Sequence, residues 1–258
     1  MLLAIDVGNT NSKFAVYEGE SQRGIWRVST DRKRTADEYA GWLLQLMDVG
    51  GMKKSDIHRV IIASVVPEAL FHLTTLSRRY FATQAQVVGE PEVKLGIEAR
   101  IDQPSEAGAD RLVNAVASHA AYGGPLIVID FGTATTFDLV DDRGNYCGGV
   151  IAPGINLSLE ALYMTAAKLP HVAIKHPAKV IGTATVPAMQ SGIFWGYVGL
   201  IEGVVARMRE EYKAPLKIVA TGGLASMFAE AIPMIQHIDP DLTLKGLVLI
   251  DSRNRQPQ

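Results

Sequence analysis

The chain has 258 residues, 48% of them hydrophobic and 20% charged, with 24 glycines and 12 prolines. That balance fits one large domain or two lobes of about 125 residues each, and excludes a disordered, collagenous or coiled-coil chain. A formal net charge of -2 supplies no broad basic surface and argues against nucleic acid as a partner. The single cysteine, Cys147, excludes an internal disulfide and a cysteine-based metal site. No apolar run approaches the roughly 18–20 residues that a membrane span needs. The N-terminus meets Asp6 after five residues with no basic region before it, unlike a signal peptide. A cytoplasmic protein with a small-molecule partner and no membrane partner is the expectation.

In chain order, residues 2–6 form a short apolar run, Val7-Gly8-Asn9-Thr10 a small-residue loop, and residues 12–17 a second run ending in the turn Glu18-Gly19-Glu20. The pattern predicts strand, tight loop, strand. Residues 25–29 predict a third strand. Residues 35–47 place Tyr39, Leu43, Leu44 and Met47 at helical spacing, behind a Thr35 cap with acids in the first turn. Residues 60–66 read as a strand, 67–80 as a helix with proline in its first turn, and a helix beginning near Ala109 closes the first half.

The opening pattern then recurs. Residues 126–130 predict a strand, followed by Phe131-Gly132-Thr133-Ala134-Thr135-Thr136, a returning strand at 137–140 and a turn at 141–145. Asp130 follows Asp6 by 124 residues, and the same offset sets Gly132 on Gly8 and Val140 on Val16. Self-similarity at half the chain length predicts two related lobes, residues 1–122 and 123–258, with a cleft between them; chance recurrence of a common turn pair is the other reading. Beyond the repeat, 146–152 predict a strand, 156–168 a helix, 186–212 a long amphipathic helix and 216–220 a strand running into Thr221-Gly222-Gly223, which opens a helix through Ala231. Residues 252–258 read as a polar, frayed tail.

Three small-residue loops therefore follow apolar strands, at Asp6–Thr10, Asp130–Ala134 and Thr221–Gly223. Backbone amides in such loops can approach phosphate oxygens, because glycine removes the Cβ that would stand in the way. An acid in a phosphate loop makes sense only with a cation between, so Asp6 and Asp130 are candidate cation-side carboxylates. Lys13 could add positive charge, or be an ordinary exposed strand lysine. There is no Gly-Lys dipeptide and no Gly-x-Gly-x-x-Gly, which excludes a Walker A loop and a dinucleotide fingerprint. The six histidines show no paired metal-ligand spacing. Asp110, in Gly108-Ala109-Asp110-Arg111, complements a helix dipole on the simplest reading. Its surroundings point further: a helix N-terminus and a guanidinium can hold an anion while the acid accepts a proton from a substrate hydroxyl.

These segments, with Gly148-Gly149-Val150-Ile151-Ala152-Pro153-Gly154, stand in the order found in type III pantothenate kinases, a family within the superfamily of acetate and sugar kinases and actin. The resemblance covers the chain to about Asp251. It implies an α/β fold of two ribonuclease H-like, actin-like lobes with mixed sheets flanked by helices and an ATP cleft between them. The implied reaction is ATP-dependent phosphorylation of pantothenate on its terminal hydroxyl, the first step of coenzyme A synthesis. Carried over by motif, Asp6, Val7, Gly8, Asn9, Thr10, Asn11, Ser12 and Lys13 would bind ATP, as would Thr133, Gly222 and Gly223, and Asp110 would be the catalytic base. Gly108, Ala109, Asp110 and Arg111 would meet pantothenate, with Arg111 at its carboxylate, and Thr185 would be a further substrate contact. Asp130 would bind the monovalent cation, K+ or NH4+, and Asp6 would hold Mg2+ through water. A homodimer is implied, with Gly192 and Gly196 of the long helix at its interface.

This chain departs from the family pattern at Ile101, where many relatives carry tyrosine, and at Ala184-Thr185, where Asn-Thr is usual. Losing an aromatic wall costs about 1 kcal/mol of affinity unless compensated nearby. Two alternatives accompany the kinase reading: another small-molecule kinase or phosphatase of the superfamily, and a non-catalytic regulator. A regulator that had abandoned catalysis should have lost Asp110, Asp130 or Asn9, and all three are present.

Overall fold

A computed structural model describes residues 1–165 and 170–255 of the chain. The chain divides into two compact units, Met1–Ala121 with Leu242–Gln258, and Tyr122–Asp241. The first unit opens with β1 (Leu2–Val7), β2 (Asn11–Glu18), β3 (Ser21–Ser29) and α1 (Ala36–Val49). It continues with β4 (Arg59–Ser64), α2 (Pro67–Phe81), β5 (Ala85–Val87) and α3 (Ala109–Tyr122). The second holds β6 (Leu126–Phe131), β7 (Ala134–Val140), β8 (Tyr146–Pro153), α4 (Ile155–Thr165), α5 (Thr185–Tyr212), β9 (Lys217–Gly222), α6 (Ala225–Ala229) and β10 (His237–Ile238). The last helix, α7 (Leu242–Arg253), belongs to the first unit. Of the helix expected at 156–168, residues 166–168 lie outside the described residues, as do 256–258 of the expected tail.

Local chemistry explains the early elements. Thr35 caps α1 through a capping box: its hydroxyl accepts from the Glu38 N–H at 3.3 Å and its own N–H donates to the Glu38 carboxylate at 2.8 Å. Tyr39, Leu43 and Met47 then fall on one buried face. Strand β1 is buried on both faces and splits its side chains by parity. Leu3, Ile5 and Val7 pack with α1 and α2 residues such as Leu43 and Leu73, whereas Leu2 and Ala4 pack with Val113 and Val116 of α3 and with Leu244, Leu247 and Ile250 of α7. That second face is why the chain's end returns to its beginning, and it departs from the division at 122/123 read from the repeat. Asp251, fully buried near the end of α7, accepts from Arg59 of β4 at 3.0 Å. Ser252 and Arg253 close this helix, so the frayed tail starts later than the sequence suggested. Helix α6 also stops at Ala229, short of Ala231.

The two sheets share one topology. Their strand orders are β3-β2-β1-β4-β5 and, read in the matching direction, β8-β7-β6-β9-β10. In each, the first three strands are antiparallel and the last two run parallel to the first. Register corrects one detail of the repeat. Leu3 lies opposite Val16, and its counterpart Ile127 lies opposite Leu139, so Val16 matches Leu139 and not Val140. The cause is the turn: the Gly8 N–H closes onto the Asn11 carbonyl at 3.0 Å, but the Gly132 N–H closes onto Ala134 at 3.1 Å, one residue sooner. With that shift, Phe14 and Phe137 face Ile5 and Ile129, and both rings are fully buried. Among the described residues, no helix is long and apolar enough to cross a membrane.

Candidate active site

In the first unit, β1 ends on Asp6 and Val7 and the chain turns through Gly8, Asn9 and Thr10 into β2. Asn9, Thr10 and Asn11 are exposed, while Val7 and Ser12 are buried at the root of the turn. The Gly8 N–H is occupied by Asn11, so this glycine shapes the loop. Lys13 lies directly opposite Asp6 in the ladder. Burial raises the Asp6 carboxyl to about 6; Lys13 and Arg27 pull it down, and the Asp110 carboxylate pushes it up. Asp6, Lys13 and Asp110 are therefore within electrostatic reach of one another, although 104 residues of sequence separate the two acids.

Asp110 sits in the first turn of α3, and its Oδ1 accepts from the Arg111 N–H at 2.8 Å. Burial raises its pKa, opposed by that backbone hydrogen bond and by the Arg111 guanidinium. Gly108 makes the geometry possible: a Cβ there would come 2.7 Å from the Asp110 Oδ1. Any side chain at 108 would have to displace the carboxylate. Ala109 and Arg111 are half-buried beside it, and Ile101 is also half-buried.

In the second unit, Asp130 occupies the place in β6 that Asp6 has in β1, opposite Thr136 on β7 and Thr221 on β9. Gly222 adopts φ +91, and a Cβ on it would approach the Asp130 Oδ1 to 2.7 Å and the Phe131 carbonyl to 2.6 Å. Only glycine meets both demands, and the carboxylate takes the space. Thr133 is exposed at the loop tip, and Gly223 is exposed with open space around it. Thr185 is the exposed first residue of α5, in the unit that does not contain Arg111. No group of three or more His, Cys, Asp or Glu side chains poised for a metal occurs among the described residues.

Sequence reasoning missed the residues that hold the two loops. The residue after β3, Thr30, donates its N–H to the Thr10 carbonyl at 2.9 Å; the residue after β8, Gly154, donates to Thr133 at 3.1 Å. Thr30 and Gly154 are 124 residues apart, the repeat's own offset, which is the signal that could have found them. Tyr197 of α5 hydrogen-bonds the Thr135 hydroxyl and donates to the Pro153 carbonyl at 3.1 Å.

Two units of one mixed-sheet topology, each with an acid-bearing hairpin loop, define an actin-like, sugar-kinase class of fold. Solved structures share it along nearly the whole chain. A Campylobacter jejuni protein described as a Baf family transcriptional activator superposes with a TM-score of 0.60 at 18% identity, over 98% of both chains. A Sinorhizobium meliloti protein described as a 2-dehydro-3-deoxygalactonokinase does so with 0.60 at 14% identity, over 100% of this chain and 98% of the other. At such identities the likeness is one of fold. Sequence narrows the class: the type III pantothenate kinase profile matches residues 2–207. Type III pantothenate kinases of Rhodospirillum rubrum and Paramagnetospirillum magneticum are each 63% identical, over 99% and 100% of this chain respectively and 99% of each relative. The chain belongs to the type III pantothenate kinase family.

Proposed function

We propose that the protein transfers the γ-phosphoryl group of ATP to the terminal hydroxyl of pantothenate, forming 4'-phosphopantothenate for coenzyme A synthesis. The observation that carries this reading is Asp110, half-buried in the first turn of α3 and within electrostatic reach of Asp6, in a chain of this family. A primary alcohol is a weak nucleophile. Asp110 orients it in line with the γ-phosphorus and takes its proton as the new O–P bond forms and the bond to the ADP oxygen breaks. Its raised pKa makes it a stronger base than an ordinary carboxylate. Arg111 receives the pantothenate carboxylate, Thr185 is a further substrate contact, and the loop from Asp6 to Lys13, with Thr133, Gly222 and Gly223, holds ATP.

The acids fit the cations that a kinase of this kind uses. Asp6 is a desolvated carboxyl beside a second one, an arrangement that a divalent ion stabilises, and it would hold Mg2+ through water. Asp130 has its carboxylate kept in place by the missing side chain of Gly222, and it would hold K+ or NH4+. When bound, such ions neutralise charge spreading over the phosphoryl oxygens. A homodimer through α5 is supported by Gly192 and Gly196, which are exposed and where an added Cβ would meet nothing within 4 Å. Complementation of a bacterium lacking its own pantothenate kinase tests the reading. Growth is expected with the native chain and not with Asp110→Asn; growth with both contradicts the assigned role.

A further inference from the structure

The first loop is held by one residue that contributes three polar contacts. Thr30 donates its N–H to the Thr10 carbonyl at 2.9 Å and its hydroxyl to the Gly8 carbonyl at 2.7 Å, and its Oγ1 lies 2.8 Å from the Ser12 Oγ. The direction of the last bond follows from proton inventory. A carbonyl only accepts, so the single hydroxyl proton of Thr30 goes to Gly8, and Ser12 must donate to Thr30. The chain runs Ser12 to Thr30 to Gly8 and closes the loop across its root, on both sides of the exposed tip at Asn9 and Thr10. The peptide plane after Gly8 cannot rotate without breaking it, and the plane before Gly8 is held separately by the Gly8 N–H on the Asn11 carbonyl.

The second unit does the same work without a hydroxyl. Gly154 keeps the equivalent N–H bond to Thr133, but an ideal Cβ on it would stand 2.2 Å from the Thr133 carbonyl oxygen, so no side chain is tolerated. The hydroxyl that corresponds to Ser12, on Thr135, is met by Tyr197 from a distant helix. Thr30 is thus the specific addition of the first loop.

We infer that Thr30 is a positioning residue for nucleotide binding, its hydroxyl fixing the orientation of the Gly8–Thr10 peptides that face the ATP phosphates. This rests on the proposed kinase reading of that loop. The test compares Thr30→Val, which keeps the shape and removes the hydroxyl, with Thr30→Ser, which keeps the hydroxyl. KM for ATP, KM for pantothenate, kcat, melting temperature and equilibrium binding of ATP alone are measured for each.

A hydroxyl bond of this kind is worth roughly a three- to tenfold change in affinity. Thr30→Val should raise the KM and the dissociation constant for ATP by about that factor and lower the melting temperature by a few degrees, with KM for pantothenate little changed, and Thr30→Ser should restore ATP binding to within about twofold. An unchanged ATP constant in Thr30→Val, an equal rise for pantothenate, or failure of serine to rescue would overturn the inference. Should Thr30→Val not fold, Thr30→Ala removes the same hydroxyl with less bulk and carries the same outcomes. A native protein that binds ATP but leaves pantothenate unphosphorylated counts against the substrate and leaves the Thr30 comparison intact; one that binds no ATP overturns both.

Discussion

The two units are built on the same five-strand plan, yet their loops carry different chemistry. In the first, Asp6 faces Lys13 across the ladder and shares its surroundings with Asp110; in the second, Asp130 faces Thr136 and rests against Gly222. A threonine braces the first loop, and a glycine with no room for a side chain braces the second. Duplication supplies a loop position with an acid at its root. What the acid does depends on the neighbours that the rest of each unit brings to it.

The largest asymmetry is the last helix. Leu242, Leu244, Leu247 and Ile250 are all fully buried, and the last three pack on the second face of β1, where α3 supplies only part of the cover. At about 1.5–3 kcal/mol for each side chain, their loss approaches the whole stability of a domain, about 5–15 kcal/mol. A chain ending at Asp241 should therefore lose the folded first unit, seen as collapse of its amide-exchange protection. Retention of native protection in β1 and β4 would show that α7 is dispensable.

Asp110→Asn removes the base and keeps the shape, and it should lower kcat by about a hundred- to ten-thousandfold with ATP binding retained. Asp130→Asn is expected to act differently, weakening ATP binding and the response to potassium more than kcat. Titrations of ATP and potassium on both variants check the contrast, and identical kinetic profiles would erase the distinction between the two acids.

Gly154→Ala probes the second brace. The added carbon would meet backbone oxygen that cannot move freely, so a loss of about 1–3 kcal/mol is expected in denaturant melts followed through the second unit. A smaller, pH-dependent effect belongs to Asp6. Its carboxyl sits at about 6 in the fold against an ordinary 3.8. Between those values the folded state holds more protons than the unfolded one, so the stability that protonation confers is lost as pH rises through about 6. Asp6→Asn should then stabilise the protein by up to about 3 kcal/mol at pH 8 and hardly at all near pH 4, while impairing ATP use. Equal melting shifts at both pH values would contradict the desolvated setting of this carboxyl.

Much of this was legible before the structure. The apolar runs of β1 and β6 declare buried strands, Thr35 and Glu38 announce the start of α1, and Asp6, Asp110 and Asp130 stand out as acids in small-residue settings. The one-residue difference between the hairpins stayed hidden because both begin Asp-x-Gly, and only ladder register counts the turn. Strands β5 and β10, three and two residues long, are too short for any period to show. Helix α7 carries Thr243, Gly246 and Asp251 as buried residues, so its pattern lacks a clean polar face. Gly246 reads as a helix breaker, but a Cβ there would come 2.5 Å from the Val113 carbonyl of α3, so the glycine is what lets the two helices approach. Thr30 looks like any residue leaving a strand until the loop it closes is seen.

The central claim is that this chain phosphorylates pantothenate with Asp110 as base. Purified protein given ATP, Mg2+ and pantothenate, with potassium present or replaced by sodium, tests it most directly. The account predicts 4'-phosphopantothenate in stoichiometric step with ADP, dependence on potassium, and near-complete loss of product formation in Asp110→Asn. No phosphorylated pantothenate from the native protein, or near-normal turnover by Asp110→Asn, would contradict it.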